Sequence, residues 1–267
     1  MADFETFKAR QQQAWSTGDF TIIAQASVLV GELLCEALDL RAGQHVLDVA
    51  TGSGNTALAA ARRRCEVIGL DWAPFLLERG RERAAAERLP VTFREGDVEQ
   101  LPFPDATFDA VLSTAGAMYA PDQEQTAREL LRVCRPGGKI GLANFTPDSF
   151  NAEFSRLLQQ YMPPPAGLPS AFRWGTEAGL RELFREAIMG LQVTPRAVML
   201  RYRSVQEWLE VWRISLGPLQ QAFLRLDARG QKGLADDLVA LAQRYNRSGD
   251  ATLIVPSAYM EVVATKR

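Results

Sequence analysis

Apolar runs that alternate with amphipathic stretches fill the chain between residues 45 and 145. Five of these runs are predicted as short strands, because apolar and β-branched residues dominate them and turn-forming residues bound them: "HVLDVA", "EVIGLDW", "VTFREGD", "FDAVLSTAGA" and "KIGLANF". Helical spacing fills most of the intervals, in "NTALAAARRR", "PFLLERGRERAAAERL" and "DQEQTARELLRVC". The last of these helices is predicted to stop at Pro136 and Gly137. This alternation predicts a parallel sheet with helices on both faces.

The flanking regions are less regular. Helices are predicted over Phe4–Trp15 and Ile22–Leu38, near Glu177–Met189, over Val205–Ser215 and across much of Leu219–Asn246. "AVMLRYR" and "YMEVVATKR" have the period of two further strands, and "YMPPPAGLP" predicts a loop. The whole pattern predicts an α/β fold: a Rossmann-like, doubly wound, mostly parallel seven-stranded sheet with N-terminal helices and a helical insertion in the C-terminal half. A separate C-terminal domain is the alternative.

Composition and charge narrow the classes of protein. The chain has 267 residues, a formal net charge of −2 and no block of basic residues, so no nucleic-acid partner is predicted. No apolar run approaches the roughly 20 residues of a membrane-spanning helix, and the N-terminus has no signal-peptide core. The three cysteines (Cys35, Cys65 and Cys134) are scattered, so neither a metal site nor a disulfide framework is predicted. We therefore expect a cytoplasmic protein, with its oligomeric state left open.

The stretch "LDVATGSGNTALAAA" contains the main chemical motif. Gly52, Gly54 and Ala57 fit G-x-G-x-x-A, and Asp71 follows at the end of the next predicted strand. Glycines let the backbone approach a ligand, a helix N-terminus offers free N–H groups, and the acid accepts hydrogen bonds from ribose hydroxyls. Taken alone, this motif also fits a nicotinamide-dependent oxidoreductase.

Two acidic residues favour a cationic adenosyl ligand instead. Asp48 lies inside the strand before the turn, where a carboxylate repels a pyrophosphate but attracts an ammonium or a sulfonium. Asp97 follows the third predicted strand in a Gly-Asp-Val step, where it can accept a hydrogen bond from an exocyclic amine. A Pro-Gly-Gly turn and a further strand complete the order of motifs.

The stretches "VLDVATGSGN", "GLDWAPFLL", "GDVEQLPFPDATFDAVLS" and "LLRVCRPGGKIGLANFTP" resemble the class I S-adenosylmethionine-dependent methyltransferases, in particular the ubiquinone/menaquinone-biosynthesis-like (methyltransferase type 11) group. The resemblance covers Val46 to Pro147. It implies a methyl transfer from S-adenosylmethionine to a small-molecule acceptor, which leaves S-adenosylhomocysteine. It also implies that Asp48 supports the loop and the methionine ammonium, and that Ala50, Gly52 and Gly54 line the methionyl and ribose portion.

The later motifs carry the other implied donor contacts. By the resemblance, Asp71 holds the ribose hydroxyls and Trp72 packs on the adenine. Asp97 and Val98 bind the adenine edge, and Thr114 faces the methyl-bearing sulfur. From the residues alone, Asp48 has a second interpretation, in which it only structures the loop through backbone N–H groups.

The chain is expected to form one methyltransferase domain over residues 1–267. Residues 1–40 are expected to be an N-terminal helical lid, residues 41–148 the donor-binding core, and residues 149–267 the acceptor-side segment with the last strands. Within the lid, Phe4 to Phe20 is expected to be mobile. The apolar and aromatic content of the last segment favours an apolar or aromatic acceptor.

No residue is predicted firmly as a general base. Asp19, Tyr119 and Asp122 are the candidates, although Asp122 also fits a helix cap. The single histidine, His45, begins the first predicted strand, at the end opposite the ligand edge of an open α/β sheet. The aromatic residues of the second half fit either an acceptor pocket or, as we favour, ordinary core: Trp174, Tyr202, Trp208, Trp212 and Phe223. A non-catalytic S-adenosylmethionine-binding protein remains a further alternative.

Overall fold

The computed structural model describes residues 4–267, with side chains from Thr6 onward; residues 1–3 of the predicted lid and the side chain of Phe4 lie outside this range. Seven strands form one sheet in the order β3-β2-β1-β4-β5-β7-β6. They are β1 (His45–Val49), β2 (Glu66–Asp71), β3 (Val91–Glu95), β4 (Phe108–Thr114), β5 (Cys134–Phe145), β6 (Ile188–Tyr202) and β7 (Leu253–Lys266). Strand β7 pairs antiparallel with both β5 and β6, and the other neighbouring strands pair parallel. The predicted fold class is therefore confirmed.

Helices cover both faces of this sheet. They are α1 (Phe4–Trp15), α2 (Thr21–Ala24), α3 (Val28–Ala37), α4 (Asn55–Arg62), α5 (Pro74–Glu87), α6 (Gln123–Val133), α7 (Phe150–Tyr161), α8 (Glu177–Phe184), α9 (Val205–Ser215), α10 (Gly217–Arg225) and α11 (Ala228–Tyr245). Short 3-10 turns lie at Gln25–Ser27, Ala117–Tyr119, Ala171–Gly175 and Arg185–Ala187. None of the helices in residues 4–267 is long and apolar enough to cross a membrane.

Several predicted boundaries differ from the structure. The helix predicted over Ile22–Leu38 is broken into α2 and α3 by the 3-10 turn. The helix predicted across Leu219–Asn246 is two helices, because the Asp227 side chain accepts a hydrogen bond from Gly230 N at 2.7 Å and so caps a new helix. The pattern gave no prediction of α7, which Ser149 caps through Ala152 N at 3.1 Å.

Two further predicted helices end early. Helix α6 ends at Val133 rather than at Pro136, and the Pro-Gly-Gly segment lies inside β5, beside a register shift between Phe108 and Ala110. Since proline disfavours helical backbone at the residue before it, extended pairing from Cys134 replaces the last predicted turn. Helix α8 ends at Phe184, so Met189 belongs to β6.

Three apolar clusters form the core. One fills the sheet face under α6 and α8, and a second fills the opposite face under α3, α4 and α5. The third holds α7 and the helices α9, α10 and α11 that are inserted between β6 and β7. Trp174, Trp208, Trp212 and Phe223 are buried in these clusters, which confirms their interpretation as core. Tyr202 packs at the edge, and its hydroxyl accepts a hydrogen bond from Trp212 Nε1 at 2.8 Å.

The strand order positions the ligand edge. Strand β1 lies between β2 and β4, so the chain changes direction across the sheet at the β1/β4 pair. In open α/β sheets, ligands bind beyond the carboxyl ends of the strands at this point. His45 lies at the other end of β1, where its Nε2 is 3.0 Å from a Glu66 carboxylate oxygen.

The Phe93 ring fixes α4 and α5 against the β2/β3 side of the sheet. A Cβ atom added at Gly80, in the middle of α5, would lie 2.6 Å from this ring, and one added at Gly54 would lie 2.8 Å from it. Contacts this short require the helix or the ring to move. Phe93 therefore requires glycine at both positions.

We predict that Gly80→Ala destabilises the protein. In an open helix position this change stabilises by about 1 kcal/mol, but overpacking of a core costs about 1–3 kcal/mol, so we expect a net loss of about 1 kcal/mol. Urea unfolding measures the difference. The control is Gly233→Ala in α11, where the added methyl meets only the end of the Tyr161 side chain, with the hydroxyl nearest at 3.1 Å, and no loss is expected. Equal stability of the two variants would contradict the Phe93 contact.

Candidate active site

Asp48 organises the turn between β1 and α4. Its side chain is 1% exposed, and its Oδ2 accepts a hydrogen bond from the Thr51 hydroxyl and one from Ala57 N, the latter at 3.0 Å. These bonds tie the last residues of β1 to the first turn of α4. Burial raises the pKa of Asp48 to about 7, although the two hydrogen bonds act in the opposite direction. The loop-structuring interpretation of Asp48 is thus seen directly, and its contact with a ligand ammonium stays a prediction.

The backbone of this turn is open on the ligand side. Ala50, Gly52 and Gly54 have φ values of 49°, 55° and 85°, all in the left-handed region. A Cβ added at Gly52 would meet nothing within 4 Å, so the turn leaves free space above this residue. Beside it, Asn55 Nδ2 donates to Ala24 O at 2.8 Å, while Asn55 Oδ1 is buried without a partner among residues 4–267. Free space above Gly52 and a buried oxygen without a hydrogen-bond partner fit the methyl donor that is predicted to bind at this turn.

Asp71 closes the other side of the turn. It lies at the end of β2 and is 7% exposed, with Oδ2 accepting from Gly52 N at 2.8 Å and Oδ1 accepting from Ala73 N at 2.9 Å. Burial raises the pKa of Asp71, and the hydrogen bonds from Ala73 and Gly52 lower it. Since a carboxylate has about four lone-pair sites, Asp71 retains capacity to accept from ligand hydroxyls.

Asp97 lies in the loop after β3, at the same edge. Its Oδ1 accepts from Glu99 N at 2.9 Å, and its Oδ2 forms an ion pair with Lys8 of α1. Val98 is buried next to it. Trp72, just after β2, contributes its carbonyl oxygen, which accepts from Gln12 Nε2 at 3.1 Å. The predicted adenine-side residues therefore follow the ends of neighbouring strands β2 and β3, and α1 contacts both groups.

Thr114 lies at the end of β4, directly across the β1/β4 pair. Its hydroxyl lies 2.8 Å from the Thr56 hydroxyl at the start of α4. The preceding residue, Ser113, donates to Val49 O at 3.0 Å and accepts from Ala117 N at 3.0 Å. A Cβ added at Gly116 would lie 2.5 Å from the Cβ of Ala50. The ends of β1 and β4 are thus locked together, and the predicted methionyl-side residues border one space.

The three candidate bases are already engaged or strongly perturbed. Asp122 caps α6 through Gln125 N at 2.9 Å. Asp19 accepts from Thr21 N at 3.1 Å and lies 3.3 Å from Arg79 Nε. Burial raises the pKa of Tyr119, so its hydroxyl keeps its proton at neutral pH. Of the three, Tyr119 is the one whose side chain lies against the aromatic residues at the carboxyl edge.

One face of α1 also belongs to this site, which the sequence did not predict. Lys8 reaches Asp97 and Glu99, Gln11 Nε2 donates to Tyr119 O at 3.2 Å, and Trp15 lies 6.1 Å from the Tyr119 ring. With Gln12, these residues are spaced three or four positions apart and share one side of the helix. That spacing was visible in the sequence, but polar residues on a helix face are normally solvated, so it carried no specific prediction.

The chain matches known proteins over its whole length. The family model described as a methyltransferase domain matches residues 46–138. An uncharacterised protein of Mycobacterium tuberculosis is 34% identical over 98% of this chain and 96% of its own length. The demethylmenaquinone methyltransferase of Thermus thermophilus is 36% identical across 57% of this chain and 76% of that protein. The crystal structure of the YcgJ protein of Bacillus subtilis has a TM-score of 0.62 at 20% identity, over 88% of this chain and 97% of that one, and so shares the fold.

The fold and the glycine turn define a Rossmann-like protein, a class that binds its ligands at the edge formed here by the ends of β1 and β4. The relatives define its chemistry: the chain belongs to the class I S-adenosylmethionine-dependent methyltransferases. It is an enzyme whose methyl donor is S-adenosylmethionine. The comparisons give no support to the nicotinamide-dependent or non-catalytic alternatives.

The raised pKa of Asp48 predicts that the stability of the protein depends on pH. Burial raises the pKa of Asp48 to about 7, whereas the pKa of an aspartate in the unfolded chain is about 4. The folded protein therefore holds this proton more tightly than the unfolded chain. The stability that Asp48 contributes is therefore present below about pH 4 and falls as pH rises towards 7. We predict that Asp48→Asn removes this loss, so the variant gains stability relative to wild type between pH 5.5 and pH 7.5.

Urea unfolding of both proteins at these two pH values measures the effect, in the absence of any ligand. Asp236→Asn is the matched control, because Asp236 is an exposed carboxylate that pairs with Lys232 on α11. A stability difference between Asp48→Asn and wild type that stays constant with pH would contradict the raised pKa.

Proposed function

We propose that this methyltransferase holds S-adenosylmethionine in the cradle formed by the ends of β1, β2 and β4, and transfers its methyl group to a small apolar, aromatic acceptor. This proposal depends on one observation: Asp48, Asp71 and the open turn at Gly52 lie at one edge of the sheet, and the loop after β4 brings the aromatic pair of Tyr119 and Trp15 to the same edge. The bound donor supplies an electrophilic methyl group on a sulfonium.

The proposed donor contacts follow from the unsatisfied capacity of the site. Asp71 would accept from the ribose hydroxyls, and Asp97 would accept from the adenine amine beside Trp72 and Val98. Asp48, Ala50, Gly52 and Gly54 would surround the methionyl portion, with Thr114 on the side of β4. Two buried carboxylates favour a cationic ligand in this space over a pyrophosphate.

Four aromatic side chains form a row, here called the aromatic wall, beside α1 and the loop after β4. The ring centroids of Trp15 and Phe20 are 5.4 Å apart, those of Trp15 and Tyr119 6.1 Å, and those of Tyr119 and Phe172 6.4 Å. These rings come from α1, the segment after it, the loop after β4 and the 3-10 turn at Ala171–Gly175. Such a surface binds apolar and aromatic molecules through burial and ring contacts. The name of the Thermus relative, which refers to demethylmenaquinone, supports the same class of acceptor.

Tyr119 provides the polar group of this wall. Its backbone carbonyl accepts from Gln11, while its hydroxyl makes no hydrogen bond to another residue of the described range. Since its raised pKa keeps the hydroxyl protonated, Tyr119 can donate to an acceptor oxygen that has lost its own proton. This chemistry favours acceptors with an acidic ring hydroxyl, and it gives Tyr119 the role of a hydrogen-bond donor rather than of a base.

We predict that Asp71→Asn weakens S-adenosylhomocysteine binding about tenfold or more, because a charged acceptor in a buried site is lost. Isothermal titration calorimetry measures the affinity, with NAD as the competing ligand class and Asp236→Asn as the control variant. Tight binding of NAD by the wild type, or unchanged S-adenosylhomocysteine affinity in Asp71→Asn, would contradict the proposed donor site.

The acceptor class is tested with donor that carries a tritiated methyl group. Phenols, naphthols and hydroquinones are compared with aliphatic amines and thiols. We expect label in the hydroxylated aromatic compounds, and we expect Tyr119→Phe to lower kcat/KM for them about tenfold or more, since a hydrogen bond to a charged oxygen is removed. The control is Tyr161→Phe, whose hydroxyl bonds to Asp237 on the outer surface at 2.6 Å. Label only in amines would overturn this acceptor class.

A further inference from the structure

Helix α1 touches three of the four loops that form the proposed donor site, namely those after β2, β3 and β4. Gln12 bonds to the backbone after β2, Lys8 to the loop after β3, and Gln11 and Trp15 contact the loop after β4. No other described helix places side chains on all three of these loops by the hydrogen bonds and ion pairs of the structure. A single helix face thus links the three loops.

The two ends of α1 are attached differently. At the C-terminal end, the backbone packs against the start of α10 so closely that a Cβ on Gly217 would lie 1.8 Å from Ala14 O. Gly18 follows with a φ of 75°, and a Cβ there would lie 2.8 Å from Ser215 O. Along the rest of the helix no comparable anchor is present: none of the described side chains of α1, from Thr6 to Trp15, is fully buried. A helix anchored at one end and without buried apolar side chains opens at low cost.

Lys8 forms the ion pairs that hold the N-terminal part of α1. Its ammonium pairs with both Asp97 and Glu99, and the three side chains are only 24%, 31% and 12% exposed. Burial alone would lower the pKa of Lys8, but the hydrogen bonds to the two carboxylates outweigh it and raise that pKa. Without Lys8, two carboxylates two residues apart would repel each other at this position.

We propose that Lys8 is a positioning residue that latches α1 over the donor site through Asp97 and Glu99, so that the donor enters and leaves only when this ion pair opens. The inference rests on the proposed role of Asp97 in binding the adenine. Opening the latch exposes the loops after β2, β3 and β4 together, because one helix face covers all three. The latch therefore slows association and dissociation of the donor alike.

The first experiment examines α1 in the ligand-free protein by hydrogen exchange. Lys8→Met keeps the apolar stem and removes the charge, whereas Lys8→Arg keeps the charge. We expect faster exchange of the α1 amides in Lys8→Met, near-wild-type exchange in Lys8→Arg, and no change in the control Lys232→Met, whose partner is Asp236. Unchanged exchange in Lys8→Met would overturn the latch, whatever the protein binds.

The second experiment follows S-adenosylhomocysteine binding by stopped-flow tryptophan fluorescence. An ion pair of this kind contributes on the order of 1 kcal/mol, so Lys8→Met is expected to raise both rate constants about fivefold. Because S-adenosylhomocysteine has no net charge, salt acts mainly on the latch: we expect wild-type association to accelerate with ionic strength and Lys8→Met association to stay flat. Association that is slower in Lys8→Met, or equal to wild type, would overturn the inference.

The two experiments also separate this inference from the proposed function. If the wild type does not bind S-adenosylhomocysteine, the proposed donor site is wrong. The proposed role of Lys8 in donor entry and exit is then wrong too, even if the hydrogen-exchange data show that the ion pair holds α1. If the wild type binds it and Lys8→Met changes neither the α1 amides nor the rates, only the latch is overturned.

Discussion

The site depends on one buried carboxylate at the end of the central strand. Asp48 accepts from Thr51 and from Ala57 N, so a single side chain fixes both the turn after β1 and the first turn of α4. A buried charge is costly unless its hydrogen bonds are made, and this one retains a pKa near about 7 even with them. The protein thus maintains a destabilising group at the place where a cationic donor is proposed to bind. A ligand that carries positive charge relieves that cost, which gives the donor a physical advantage over a pyrophosphate.

The turn held by Asp48 then sets the positions of the neighbouring loops. Asp71 bonds to Gly52 N and links β2 to the turn, while Gly116 lies against Ala50 so closely that a side chain would not fit. Positive φ angles at Ala50 and Ala115 turn both strand ends in the same small region. These contacts are made by backbone groups and short side chains, so the cradle is rigid before any ligand binds. Helix α1 is by contrast attached to these loops by long polar side chains, and under the proposed latch it is the part of the site that moves.

The sequence predicted the donor half well because its constraints are local. The alternation of strands and helices, the turn at Gly52 and Gly54, and the strand-end acids Asp48, Asp71 and Asp97 all lie in one regular stretch, and each strand ends within three residues of its predicted run. The second half was less accessible, since α7 and the split between α10 and α11 depend on the capping residues Ser149 and Asp227 rather than on periodicity. The contacts of α1 could not be predicted at all. Lys8 and Asp97 are far apart in the sequence, and only the closed fold brings them together.

The two proposed roles of α1 constrain the order of events at the site. Lys8 covers the adenine side, and Trp15, two helical turns later, contributes to the aromatic wall on the acceptor side. Because Trp15 lies beside the anchored end of this helix, an acceptor bound against Trp15 and Tyr119 restrains the point about which α1 opens. An acceptor bound against Trp15 in turn holds α1 closed and retains the donor. Under these roles the donor has to bind before the acceptor, and the used donor leaves after the methylated product. Under the same roles, closure by the acceptor excludes water from the cradle, a contribution to catalysis that needs no general base.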